Sequence, residues 1–122
     1  MRLARDPDAA RWLLGLAGTT EDVDWDAGNR TKNRKHGVEA SEIEQMLAHS
    51  YVFEGRIVEP RHDEPRWLAL GRNNAGRRLA LVFTRREKRL RPISCRPMRR
   101  KEEQRYEQAI SSEEGDPGTP DA

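Results

Sequence analysis

The sequence predicts an α+β fold, in which two N-terminal helices pack on a small antiparallel β-meander sheet and a further helix follows the sheet. Three observations carry this expectation. A capped helical segment and a second helix precede the first β-prone residues. The β-prone runs between Tyr51 and Cys95 are separated by turn chemistry rather than by helices. After Pro97 the pattern becomes helical again. Runs of one kind of element, instead of strict alternation, characterise α+β rather than α/β folds.

Taken in order, Ala9, Trp12, Leu13 and Leu16 recur at helical spacing and mark a weak helix that ends between Gly15 and Gly18. Val23-Asp24-Trp25 reads as a short strand. Asp26 is a good N-cap for a polar helix that runs to His36 and stops at Gly37, because glycine tolerates the left-handed conformation that closes a helix. Lys35 and His36 fall in its last turn, where positive charge complements the helix dipole. Ser41 and Glu44 are spaced as a capping box for the second helix, whose apolar stripe is Ile43, Met46 and Leu47.

Three or four strands are expected next. Tyr51-Val52-Phe53 and Ile57-Val58 flank Gly55, and Trp67 to Leu70 leads into Gly71-Arg72. The turn-forming stretch Asn73-Asn74-Ala75-Gly76 then joins this run to Leu79–Thr84 as a hairpin. Arg85-Arg86-Glu87 makes a second tight connection. Pro92 assigns the last strand to an edge or a bulge, since proline cannot donate to the ladder. Pro97 suits the first turn of a final helix through Ile110, with Met98, Arg105, Tyr106, Ala109 and Ile110 on one side. The helix pair is expected to cover one face of the sheet and leave the other open. Residues 1–21 form an N-terminal extension, 22–110 the domain proper, and 111–122 an acidic tail of disorder-like composition.

Charge is segregated along the chain. Leu, Ile, Val and Phe number only 10, 4, 5 and 2 among 122 residues, so the core is small, and the formal net charge is +2. From Arg85 to Arg105, however, ten Lys or Arg face three Glu, whereas from Glu107 to Ala122 there are five acids and no base. A local excess of positive charge beside an acidic end points to a polyanion-facing region. The alternative reading of such a run is a solvated surface.

Several classes are excluded. Cys95 is the single cysteine, so no internal disulfide forms, and its place in a β-prone run suits a buried inert thiol. No apolar run approaches the roughly 18 residues of a transmembrane helix, and a cytoplasmic setting without membrane contact is expected. His36, His49 and His62 are scattered and no zinc spacing occurs, so no metal or other cofactor is expected. The phosphate-binding loop, dinucleotide and serine-hydrolase signatures are absent.

The segment from Trp25-Asp26 to Lys35-His36-Gly37-Val38 resembles the opening signature of BrnT toxins. Trp67 to Arg72, Leu79 to Arg85, Arg91 to Arg96 and Arg99 to Tyr106 follow in that family's order, so the resemblance spans residues 22–108. It implies a RelE-like ribonuclease fold and a bacterial type II toxin–antitoxin pair. It further implies RNA cleavage that inhibits translation, and neutralisation by a BrnA-type antitoxin in a hetero-oligomer. Glu39 departs from the family pattern, in which a capping Ser or Thr is common.

Metal-free RNA scission requires deprotonation of the 2′-hydroxyl, stabilisation of the phosphorane and protonation of the leaving 5′-oxygen. Arginine suits the second task because its planar fork binds phosphate oxygens bidentately and stays charged. Arg72, Arg85 and Arg96, on successive strands, are the expected phosphate contacts. His36, Glu102 and Tyr106 are the candidates for proton transfer. Lys35, Arg91, Arg99, Arg100 and Lys101 are candidate RNA-binding residues, the last three at the start of the final helix, where they steer RNA or meet the antitoxin. Competing readings are kept beside these: His36 as a helix-end residue, Tyr106 as sheet packing, and the whole chain as a non-catalytic basic module that binds RNA or an acidic partner.

Overall fold

Local signals fix the first half of the chain. In the computed structural model, which describes residues 1–16, 20–49 and 51–114, a short strand β1 (Arg2–Ala4) leads into helix α1 (Pro7–Leu14). A single 3-10 turn at Thr20–Asp22 precedes α2 (Ala27–Lys35) and α3 (Ala40–Ala48). Strands β2 (Val52–Glu59), β3 (Trp67–Arg72), β4 (Arg78–Arg86) and β5 (Arg89–Pro97) follow, and α4 (Arg100–Glu114) ends the described chain. Asp26 caps α2 by accepting from the Asn29 backbone N–H at 2.8 Å, and Gly37 closes it at φ 76°. The cap of α3 differs from the expected Ser41–Glu44 box. The helix begins at Ala40, so Glu39 stands at the N-cap and the Glu42 carboxylate accepts the Glu39 N–H at 2.7 Å. Glu44 instead accepts from the Trp25 indole at 3.3 Å.

The strands form one antiparallel sheet in the order β1-β2-β3-β4-β5. The expected meander is present as β2 to β5. Two features correct the expectation. The N-terminal residues add a fifth strand at the outer edge, and Val23 contributes only an isolated parallel bridge to Leu90. Gly55 makes the fifth strand possible: at φ 127°, a Cβ there would lie 2.5 Å from the Ala4 carbonyl oxygen. The second correction concerns the supposedly open face, which α4 covers. Leu68, Leu70, Ala80 and Ile57 are buried with Tyr106 on that side, whereas Trp67, Ala69, Leu79, Leu81 and Phe83 pack with Leu13 of α1, Val38, and Ile43 and Met46 of α3 on the other. Both faces of β3 and β4 are therefore apolar, as a sheet between two helical layers requires.

Helix α2 is nearly all polar yet packs against the edge strand β5 through two amide side chains. Asn33 Oδ1 accepts the Cys95 N–H at 2.8 Å, and Asn29 Nδ2 donates to the Asp24 and Pro92 carbonyls at 2.9 and 3.3 Å. The bonds to Cys95 and Pro92 satisfy β5 backbone groups that no further strand reaches. Pro92 sits in the edge strand, next to a register shift opposite Val82 and Phe83, in keeping with both roles expected of it. The shift also changes which side chains align. Arg91 stands opposite Thr84, and Ser94 and Arg96 stand opposite Val82 and Ala80, so Ile93 does not share the Arg91 register. Of the acidic tail, residues 111–114 belong to α4, and 115–122 lie outside the described residues.

Candidate nucleic-acid interface

The basic residues divide between the two ends of the sheet. Arg72 ends β3 directly opposite Arg78, which begins β4, and the Met98 N–H donates to the Arg78 carbonyl at 3.1 Å. The start of α4 therefore lies beside this end, with Arg72 and Met98 two strand spacings apart, about 10 Å. Arg85 lies seven residues further along β4, roughly 23 Å away at strand rise. It also points to the other face, aligned with Leu79, Leu81 and Phe83. There its guanidinium sits 5.0 Å over the Trp12 ring and its Nε donates to the Glu87 carbonyl at 2.8 Å. Arg72, Arg85 and Arg96 are thus not brought together.

Arg96 is held by Glu102. Its two terminal nitrogens donate to the two carboxylate oxygens at 2.6 and 2.9 Å, and the same carboxylate accepts the Arg99 N–H at 2.8 Å. Glu102 is only 5% exposed. Burial pushes its carboxyl up, but the hydrogen bonds from Arg96 and Arg99 outweigh it, and the net shift is downward. Arg96 is raised by the same carboxylate. This pair clamps the first turn of α4 to β5. Tyr106 is 2% exposed and lies in the core beneath α4, with the Arg78 guanidinium 5.5 Å over its ring and Arg78 bonded to Glu107 at 2.6 Å. Arg91 pairs with Asp24 and Asp26 at 3.3 and 2.7 Å, fastening β5 to the segment before α2. The cap hydrogen bond from Asn29 and the Arg91 contact lower the Asp26 carboxyl.

A second group is exposed and uncommitted. Lys35 and His36 end α2, and the next carbonyl, of Gly37, accepts from Arg77 Nη1 at 2.7 Å. Because Arg77 precedes β4, the end of α2 is anchored at the same end of the sheet as Arg72. Arg99 immediately precedes α4 at this end, and Arg100 and Lys101 open it. Among the described residues, none of Lys35, Arg72, Arg99, Arg100 and Lys101 forms a side-chain hydrogen bond or ion pair with another. Cations whose side chains form no hydrogen bond or close ion pair create a positive potential available to a polyanion.

His49, weighed from the sequence only as a metal ligand, has a partner that the sequence did not show. It ends α3, is exposed, and its Nε2 lies 2.5 Å from Asn74 Oδ1 in the β3–β4 turn. No local spacing could reveal the pair, since 25 residues separate its members. The turn is held by side-chain hydrogen bonds: Asn73 Oδ1 accepts the Ala75 and Arg77 N–H groups at 3.0 and 2.8 Å, and Gln45 of α3 accepts the Asn74 N–H at 3.0 Å. Glu42 takes the Asn73 amide and Arg77, both at 3.0 Å. Cys95 is fully buried, and burial pushes its thiol up to about 12. Among the described residues, no three His, Cys, Asp or Glu side chains are grouped to hold a metal ion, and no helix is long and apolar enough to cross a membrane.

An α+β domain with uncompensated cations gathered at one end of its sheet has the properties of a nucleic-acid-facing protein. A family model described as ribonuclease toxin, BrnT, of type II toxin–antitoxin system matches residues 25–102, more than half of the chain, and the chain belongs to that family. The match leaves β1, α1 and most of α4 outside it. No curated protein matches the chain.

Proposed function

We propose that the chain is an endoribonuclease toxin of RelE-like type that cuts RNA without a metal ion, inhibits translation in a bacterial cytoplasm, and is neutralised by a BrnA-type antitoxin in a hetero-oligomer. Residues 22–110 carry the activity in this reading. Within the extension of residues 1–21, β1 adds to the sheet and α1 to the core, and both serve stability. The observation that supports the proposal, beside family membership, is the placement at one end of the sheet of Lys35, Arg72, Arg99, Arg100 and Lys101, whose side chains form no hydrogen bond or close ion pair among the described residues. Phosphate contacts from Arg72 and the start of α4 would hold the RNA backbone, and a guanidinium fork would stabilise the phosphorane as charge builds on its oxygens. His36, exposed at the same end, is available for proton transfer. Glu102 and Arg96 contribute by holding the α4 end in place, and Tyr106 by packing beneath it.

Induced expression with and without the antitoxin gene tests this reading. Growth arrest with RNA breakage that the antitoxin suppresses is the expected result, and unimpaired growth with intact RNA contradicts it. One observation favours a binding-only module instead: Glu102 and Tyr106 are buried, which removes two proton-transfer candidates from the surface. Such a protein would bind RNA with affinity falling steeply with salt while leaving the strand intact.

A further inference from the structure

The geometry points to His49 as a catalytic base for RNA cleavage, oriented by Asn74 and working beside a phosphate held by Arg72. This rests on the ribonuclease reading and adds a residue to it. His49, Arg72 and Asn74 line one open depression at the end of the sheet. An amide oxygen can only accept, so the 2.5 Å contact between His49 Nε2 and Asn74 Oδ1 requires the proton to sit on Nε2. The neutral ring then presents Nδ1 as its unprotonated nitrogen. Orientation of an imidazole by a hydrogen bond to its other nitrogen is how a general base is given one tautomer and one direction. Asn74 is itself fixed, because its backbone N–H is bonded to Gln45 at 3.0 Å and its neighbour Asn73 organises the turn. Asn74 is therefore a positioning residue, and Arg72 is the adjacent exposed cation with no described partner.

In the step assigned to this site, His49 Nδ1 takes the proton of a ribose 2′-hydroxyl. The O2′–P bond forms and the P–O5′ bond breaks, giving a 2′,3′-cyclic phosphate. The departing 5′-oxygen takes a proton from solvent, and the imidazolium returns its own proton to solvent. No oxidant, reductant or metal enters the balance.

The test uses the full chain and a short RNA, together with the same RNA carrying 2′-O-methyl groups, which binds but cannot be cut. His49→Ala is expected to lower kcat about 100-fold or more, the contribution usual for general base catalysis. Melting temperature and affinity for the methylated RNA should stay unchanged, and added imidazole should restore part of the rate. Asn74→Ala should lower kcat by a smaller factor, and Arg72→Ala should weaken binding of the methylated RNA. A His49→Ala protein that cuts at the wild-type rate overturns this assignment and leaves the ribonuclease reading standing. Loss of activity together with a lowered melting temperature and no imidazole rescue also overturns it, by making His49 structural. A wild-type chain that leaves RNA intact, both free and on translating ribosomes, overturns the assignment and the ribonuclease reading together.

Discussion

Replacement of Arg96 by alanine should damage the fold before it damages any chemistry. The guanidinium donates two bonds, at 2.6 and 2.9 Å, to a carboxylate whose side chain is 7% exposed. Arg96→Ala therefore strands a buried Glu102 with only the Arg99 N–H, at 2.8 Å, to compensate its charge. Removing one partner of a buried ion pair costs about 3–5 kcal/mol. For a domain of this size each kcal/mol lowers the melting temperature by roughly 4 °C, so a fall on the order of 12–20 °C is expected. Circular dichroism at 222 nm and urea titration measure it. Glu102→Gln should lose less, since the amide keeps the shape and one acceptor.

The pH dependence follows in sign. The Glu102 carboxyl is lowered in the folded chain from an ordinary value of 4.5. Its contribution is complete above that value and is lost as pH falls through the depressed folded-state one. The gap between wild type and Arg96→Ala should thus narrow in acid. A variant that melts within 2 °C of wild type at neutral pH, or a gap that widens in acid, would refute the clamp.

Gly55→Ala forces a Cβ to 2.5 Å from the Ala4 carbonyl in a backbone conformation of positive φ. It should displace β1 and cost about 1–3 kcal/mol, visible as lost hydrogen-exchange protection in residues 2–4; unchanged protection contradicts the close approach. Trp12→Ala removes a ring 5.9 Å from Trp67 and 6.3 Å from Phe83, together with the support beneath Arg85. A loss of about 3–5 kcal/mol in urea denaturation is expected, and a loss under 1 kcal/mol would show that α1 is dispensable. Cys95 should resist thiol reagents at pH 8 until the chain is unfolded, because burial pushes its thiol up to about 12; native labelling at the unfolded rate contradicts its burial.

Elements specified by adjacent residues were legible in the sequence. Asp26 and Gly37 bound α2 because capping depends on side chains within one turn. The β3–β4 hairpin followed from its turn residues, and Pro92 marked an edge and a bulge. What depends on distant partners was hidden. Arg2-Leu3-Ala4 is too short to carry an alternation, and only the approach to Gly55 across the sheet reveals it as a strand. Asn29 and Asn33 belong to a helix whose polarity gives no sign of burial, yet both are buried against β5.

The candidate site was partly legible for the same reason. The free cations at the start of α4 lie where the sequence placed them, whereas Arg85 is separated from Arg72 because the β3–β4 register pairs Arg72 with Arg78, at the opposite end and on the opposite face of β4. Glu102 and Tyr106 turned inward because α4 covers the second face. His49 met Asn74 only through the packing of α3 on the β3–β4 turn.

The central claim, that a chain with these gathered cations is a metal-independent ribonuclease, is tested most directly by incubating the purified protein, free of antitoxin, with RNA and translating ribosomes in excess EDTA. Cleavage is expected to persist in the chelator, to leave 5′-hydroxyl ends, and to fall sharply in the Arg72→Ala variant while that variant melts as wild type does. Intact RNA with the wild-type protein, or cleavage that EDTA abolishes and added divalent metal restores, would contradict it.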